Sequence, residues 1–125
     1  MIDHLGIPVK DIAASRRFYE AALDPLGYKV LGEETNGLGN NVVLMGAGEV
    51  DFVIADGEPV TDGTHFAFRV GTRAEVDAFH AAALAAGGKD NGAPGIREDY
   101  HPNYYAAFVI DPDGMNVEAV CHKAE

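Results

Sequence analysis

The segment His4-Leu5-Gly6-Ile7-Pro8-Val9-Lys10-Asp11 has a counterpart 61 positions further along the chain, His65-Phe66-Ala67-Phe68-Arg69-Val70-Gly71-Thr72. Histidine lies over histidine, and apolar residues coincide at three alternating sites. The same offset places Phe18 over Phe79. Two similar halves are the simplest explanation of such a match. The sequence therefore predicts an internal duplication.

Each half opens with a strand that leads into a helix. Apolar residues alternate with other residues in the two segments at 4–9 and 65–70, which is typical of half-buried strands. Asp11 and Thr72 then stand as helix N-caps, because a side-chain oxygen there can accept a hydrogen bond from a free backbone N–H. Gly27 predicts the end of the first helix.

Strand-like segments separated by turns follow each helix. They lie at residues 28–31, 41–45, 50–55, 104–110 and 115–121. Between the last two, Asp111-Pro112-Asp113-Gly114 predicts a type I turn, and its carboxylates are interpreted as plain turn residues. Residues 87–103, rich in Gly, Pro and Asn, predict a long loop with one weak strand signal around Ile96. The order is β-α-β-β-β twice, an α+β fold.

Composition excludes several classes of function. The 125 residues carry a net charge of −11, which disfavours binding to nucleic acid or to an anionic membrane. No apolar run is long enough to span a bilayer and no signal peptide is recognisable, so we expect a cytoplasmic protein. Cys121 is the single cysteine, and we expect it to pack as a small apolar residue. Any metal must therefore be held by histidine and carboxylate.

Three ionisable residues share one property, a place on the strand face opposite the helices. They are His4, His65 and Glu118. If the two sheets curl around a common cavity, these side chains converge as two imidazoles and one carboxylate, a set suited to Fe(II), Mn(II), Zn(II) or Ni(II). The alternative is structural: each histidine is a satisfied polar residue, and Glu118 pairs with a nearby cation such as Arg69.

Further motifs carry a family resemblance. They are Ile2 to Asp11, Phe18-Tyr19 followed by Leu26-Gly27-Tyr28, His65 to Phe68, and Tyr104 to Glu118, in which Asp-Pro-Asp-Gly stands three residues before Glu. The chain resembles the vicinal oxygen chelate superfamily of glyoxalases, bleomycin resistance proteins and extradiol dioxygenases. The resemblance implies one domain, 1–125, whose two βαβββ modules, about 1–60 and about 61–125, form a half-open barrel. It also implies that His4, His65 and Glu118 bind one divalent ion.

One departure from this family is informative. Glyoxalase I takes a fourth ligand from the last strand of the first module, and here that strand offers only Asp51, which we interpret as a surface residue. The three-ligand pattern is similar to that of extradiol dioxygenases and fosfomycin-resistance thiol transferases. This argues against lactoylglutathione lyase activity.

The resemblance implies a small metal-dependent enzyme that acts on a small-molecule substrate, with lyase or isomerase chemistry ahead of dioxygenase chemistry. Alternatives are a metal-free, small-molecule-sequestering protein of the bleomycin-resistance type and a relative without turnover. The resemblance also implies a homodimer, with modules paired within a chain or exchanged between chains.

Residues beyond the metal set are expected to complete the site. Candidate catalytic residues are Glu118, His101 and Tyr105, and candidate substrate-binding residues are Arg69, Asn116 and Tyr104. Only one of the adjacent tyrosines can face the cavity, and which one is left open. For both tyrosines the alternative is core packing with a hydrogen bond.

Overall fold

The chain folds as two successive βαβββ modules, as predicted. The computed structural model describes residues 1–125. The first module comprises β1 (Leu5–Pro8), α1 (Ile12–Leu23), a short 3-10 helix (Asp24–Leu26), β2 (Lys29–Thr35), β3 (Asn41–Gly46) and β4 (Phe52–Ala55). The second comprises β5 (His65–Arg69), α2 (Arg73–Ala85), β6 (Lys89–Ile96), β7 (Tyr105–Ile110) and β8 (Asn116–Cys121).

Each module forms its own four-stranded sheet. The strand orders are β1-β4-β3-β2 and β5-β8-β7-β6, and no strand pair joins the two sheets. In both modules the first strand runs parallel to the last, and the remaining pairs are antiparallel. The parallel register sets His65 beside Asn116 and Ala67 beside Glu118. The first and last strands of the second module therefore present their side chains next to each other.

The predicted caps start both helices. The Asp11 carboxylate accepts a hydrogen bond from the Ala14 N–H at 3.1 Å. The Thr72 hydroxyl accepts from the Glu75 N–H at 3.2 Å and donates to the Glu75 carboxylate at 3.0 Å. Gly27, at φ 84°, ends the 3-10 helix that extends α1, a left-handed conformation that glycine adopts without strain.

One hydrophobic core joins the two modules. Helices α1 and α2 pack against each other, and each covers one face of the sheet in its own module. The Phe52 ring of β4 contacts Phe66 and Phe68 of β5, with ring centroids 5.6 and 5.4 Å apart. Cys121 is fully buried in this core, as predicted. Neither helix is long and apolar enough to cross a membrane.

The acidic turn between β7 and β8 also joins the modules. Asp111 accepts hydrogen bonds from the N–H groups of Asp113 and Met115, which closes the turn. Its second oxygen accepts from the buried Tyr19 hydroxyl of α1, and Asp113 accepts from the Ser15 hydroxyl at 3.4 Å. Both carboxylates are buried. The interpretation of these carboxylates as plain turn residues is therefore wrong, because they also bind the helix of the other module.

A second correction concerns the long loop predicted at 87–103. Much of it is strand β6, which pairs with β7 through a register that shifts around Gly92 and Gly95. Pro94 lies within this strand, where a missing N–H is tolerated because β6 is the outermost strand of its sheet. The glycines and the proline that suggest a loop instead mark the bulges of an edge strand.

Candidate metal and substrate site

A histidine and a buried glutamate meet on the open face of the second sheet. His65 Nε2 lies 3.0 Å from Glu118 Oε2. The Glu118 side chain is 2% exposed, whereas that of His65 is 46% exposed. The Tyr104 hydroxyl donates a hydrogen bond to the other oxygen of Glu118. Both oxygens of this carboxylate are therefore engaged by polar neighbours, as burial of a charged group requires.

The protonation state of His65 follows from its second contact. Nδ1 lies 2.9 Å from the backbone oxygen of Asn116. A carbonyl only accepts, so Nδ1 carries a proton, and in the neutral ring Nε2 is then a bare lone pair. This lone pair faces the Glu118 carboxylate, whose oxygens in the charged form also only accept. Two acceptors 3.0 Å apart need a cation between or beside them, either a proton or a metal ion.

The donor set of this pair fits a divalent metal. Imidazole nitrogen and carboxylate oxygen are ligands for Fe, Mn, Zn and Ni. His65 Nε2 and Glu118 Oε2, 3.0 Å apart, are close enough together that both could bind one ion. The Nδ1–H bond to the Asn116 carbonyl is the kind of outer contact that orients a ligating histidine.

His4, the third predicted ligand, does not join this pair within the chain. Its exposed ring lies 2.7 Å from the Asp3 carboxylate. It lines a cavity of about 320 Å³ in the company of Arg69, Tyr28 and Asp51. No group of three His, Cys, Asp or Glu side chains in the chain is placed to hold a metal. A single chain thus brings together two of the three predicted ligands.

The adjacent tyrosines diverge to opposite faces of the sheet. Tyr104 points to Glu118, and burial together with that hydrogen bond raises the pKa of its phenol well above the ordinary value. Tyr105 lies on the helix side, where it donates to Asp77 at 2.6 Å and stacks under the Arg73 guanidinium. The candidate catalytic residue Tyr105 is therefore placed away from Glu118, and Tyr104 occupies the open face.

The remaining predicted residues surround the pair. His101 Nε2 lies 2.7 Å from His122 Nδ1, and the two rings stack. Tyr104 meets both rings edge to face. The Asn116 side chain accepts a hydrogen bond from Asn91 at 3.1 Å. His101 and Asn116 are therefore held on the same side of the sheet as Glu118.

Arg69 does not form the predicted alternative contact with Glu118, whereas Asp51 lies at the surface as predicted. No carboxylate lies within ion-pair distance of the Arg69 guanidinium, so this residue does not neutralise Glu118 in the manner of the structural alternative. Asp51 accepts a hydrogen bond from the Tyr28 hydroxyl at 2.8 Å and is exposed, in line with a surface role.

His122 is the residue of this site that sequence reasoning did not select. The signal was present, because His122 follows Glu118 by an even number of residues and so shares its face of the strand. Its partner His101 lies in the connection between β6 and β7, and no local pattern predicts that this connection folds back onto the end of β8.

Comparison with known proteins agrees with this architecture. The sequence profile of the Glyoxalase/Bleomycin resistance protein/Dioxygenase superfamily matches residues 1–119. A glyoxalase/bleomycin resistance protein from Albidiferax ferrireducens T118 is 27% identical, with a TM-score of 0.80 over 97% of this chain and 98% of that one. No curated protein is significantly similar in sequence.

Two more distant structures share the fold. One is the E126Q mutant of a fosfomycin resistance protein from Listeria monocytogenes in complex with Mn(II) and 1S,2S-dihydroxypropylphosphonic acid, at 16% identity and a TM-score of 0.72 over 96% of this chain and 90% of that one. The other is a glyoxalase I mutant from Zea mays, at 24% identity and a TM-score of 0.74 over 95% of this chain and 46% of that one. With its two βαβββ modules and its match over residues 1–119, the chain belongs to the Glyoxalase/Bleomycin resistance protein/Dioxygenase superfamily.

Proposed function

We propose that the protein is a small metal-dependent enzyme that acts on a small molecule through a divalent ion bound by His65, Glu118 and His4. We favour a lyase or isomerase reaction over a dioxygenase reaction. The observation that carries the proposal is the approach of His65 Nε2 to Glu118 Oε2 at 3.0 Å, with the His65 ring and the Glu118 carboxylate each held by a further hydrogen bond. The proposal includes a cytoplasmic location, as expected from the sequence.

The third ligand requires a second copy of the chain. His4 is exposed and held near Asp3 rather than near Glu118. The open face of the second sheet, where His65 is half exposed, is free to receive the first module of another molecule. We therefore propose a homodimer in which His4 of one copy completes the pair formed by His65 and Glu118 of the other. Such an interface is used twice in a twofold dimer, giving two sites.

A divalent ion held by these residues would supply positive charge that polarises two neighbouring oxygens of a substrate and offsets the negative charge that develops on them. The chain's own residues prepare this site. Tyr104 holds Glu118 by a hydrogen bond, and its raised pKa keeps the phenol protonated and donating. The Asn116 carbonyl fixes the ring of His65. These contacts keep both side chains oriented before any substrate arrives, which reduces the cost of reorganisation.

Metal analysis of the protein purified without chelator tests the proposal. We expect about one equivalent of metal per chain in the wild type and loss of most of it in Glu118→Gln and in His65→Gln. The matched control is His80→Gln, because His80 on α2 forms a histidine–carboxylate contact of similar length, 2.9 Å from Asp90. Retention of metal in Glu118→Gln, or no uptake of added Mn(II) by the wild type, would overturn the proposal.

A further inference from the structure

The two stacked histidines beside Glu118 have a fixed pattern of protons. The backbone N–H of Asn103 donates to His101 Nδ1 at 3.0 Å, so this nitrogen carries no proton. The proton of neutral His101 therefore sits on Nε2 and is donated to His122 Nδ1 at 2.7 Å. His122 Nδ1 is then an acceptor, and the proton of His122 must sit on its own Nε2. The chain of contacts makes His122 Nε2–H a donor with no acceptor within the chain.

The environment of His122 keeps it in this neutral form. Burial, the positive charge of Arg69 and the neighbouring His101 lower the pKa of His122, in that order of importance, while Glu118 opposes them. Arg69 and His122 belong to the same face of the sheet, because Arg69 is paired in register with Val120, two residues before His122.

Arg69 has no carboxylate partner within the chain. It is exposed, and no carboxylate lies within 4.0 Å of its guanidinium, although the chain carries twenty acidic residues. Glu118, the nearest candidate on the adjacent strand, is already engaged by His65 and Tyr104. An unpaired guanidinium and an imidazole N–H therefore belong to the same face of the sheet as the metal-binding pair, two register positions apart, and both are donors only.

We propose that Arg69 and His122 form a binding site for a carboxylate group of the substrate. The planar fork of arginine matches the two oxygens of a carboxylate, and the imidazole N–H adds a third donor. The net charge of −11 disfavours a multiply charged anion in the same place, which points to a single carboxylate. This inference extends the proposed function by naming a substrate class, a small acid with oxygens next to its carboxylate. Arg69 and His122 bind the carboxylate of the substrate and take no part in the chemical step.

Nuclear magnetic resonance of the metal-free protein tests the site without any turnover. Long-range proton–nitrogen spectra of the histidine rings report which nitrogen carries the proton, and we expect Nε2 for both His101 and His122. Titration with sodium lactate is expected to shift the His122 signals in a saturable manner. The neutral analogue 1,2-propanediol, which replaces the carboxylate by a hydroxymethyl group, is expected to leave these signals unchanged.

Two variants and one control assign the effect to named residues. Arg69→Gln and His122→Phe are each expected to weaken lactate binding by about tenfold or more, the effect of losing a charge-assisted hydrogen bond. Arg17→Gln removes the same charge from an exposed position on α1 and is expected to change nothing. Circular dichroism verifies that each variant is folded.

The outcomes separate this inference from the proposed function. A proton on His122 Nδ1, equal binding of lactate by Arg69→Gln, or no shift on titration would overturn the carboxylate site, whether or not the protein binds Mn(II). Lactate binding that depends on Arg69 in a protein that takes up no Mn(II) would instead support the carboxylate site and contradict the metal site.

Discussion

Tyr19 in α1 donates its buried hydroxyl to Asp111, 92 residues away in the other module, at 2.5 Å. The phenol is fully buried and the carboxylate is 4% exposed. The two remaining hydrogen bonds of the Asp111 carboxylate come from backbone N–H groups of its own turn. The Tyr19 hydroxyl is thus the link by which the first module satisfies a charge that the second module buries.

Replacement of Tyr19 by phenylalanine is expected to destabilise the protein by about 1–3 kcal/mol, because a buried carboxylate loses a hydrogen-bond donor while the ring is retained. Urea denaturation measures this difference. Tyr100→Phe is the control, since Tyr100 is 66% exposed and we expect no change there. Equal stability of the two variants would show that the bond between the modules contributes nothing.

The same contact predicts a loss of stability in alkali. Burial and the Asp111 carboxylate raise the pKa of Tyr19 above its ordinary value of 10.0. A group with a raised pKa in the folded state contributes stability that is complete below its unfolded pKa and is lost as pH rises above it. Above about pH 10 the wild type is therefore expected to lose stability. Tyr28, Tyr104 and Tyr105 also have raised pKa values. The free energy of unfolding is therefore measured between pH 8 and 11 for the wild type and for Tyr19→Phe, and the difference between the two proteins reports the effect of Tyr19.

The adjacent tyrosines provide a matched pair of variants. Tyr104→Phe removes the donor that holds Glu118, and we expect metal affinity to fall by about tenfold to a hundredfold. Tyr105→Phe removes only a bond to Asp77 on the helix side and is expected to leave metal affinity unchanged. Competition titration with a chromophoric chelator measures both. The reverse ranking would show that the open face has been assigned to the wrong tyrosine.

A mixture of two variants that each lack one metal ligand tests whether the metal site is shared between two copies of the chain. If His4 of one copy completes the pair of the other, His4→Ala and Glu118→Gln form mixed dimers with one intact site. Random association then restores about a quarter of the wild-type metal content. Refolding the two variants together and measuring bound metal gives the result. No recovery above the separate variants would contradict a site shared between two copies.

Gly88 lies where the two modules come close, and a methyl group there is expected to be costly. A Cβ at this position would stand 2.5 Å from Val109 Cγ1 and 2.8 Å from Phe18 Cε1, which the packed core cannot absorb without a shift. We expect Gly88→Ala to destabilise by about 1–3 kcal/mol. Gly37→Ala, which meets no atom within 4 Å, is the control for the thermal unfolding measurement.

The parts of the fold that could be predicted from the sequence depend on local rules. Asp11 and Thr72 cap helices through side-chain bonds to residues three positions on, so short-range spacing suffices to find them. The alternation along β5 and β8 placed His65 and Glu118 on one face, and the structure brings them within 3.0 Å. In two regular strands, the alternation of apolar and polar residues is enough to predict which face of the sheet each side chain occupies.

The remaining features depend on contacts between distant residues. The burial of Asp111 needs Tyr19, which no spacing rule connects to a turn so far along the chain. The choice between Tyr104 and Tyr105 depends on which residue begins β7, and boundaries are the least predictable part of an element. In the proposed homodimer, the position of His4 relative to Glu118 depends on how two copies assemble. Residue patterns along a strand therefore predict its two faces and its pairing with a neighbour, whereas contacts between the modules depend on the whole fold.

Strand β6 has a consequence for the behaviour of the protein at high concentration. Pro94 removes one backbone donor from the outer rim of the second sheet, and the shifts at Gly92 and Gly95 bend the rim away from a flat line. A foreign strand would find no continuous ladder to join there, a feature by which natural proteins avoid fibril growth. Gly92, Pro94 and Gly95, which led to the prediction of a loop, thus prevent neighbouring molecules from adding strands along β6.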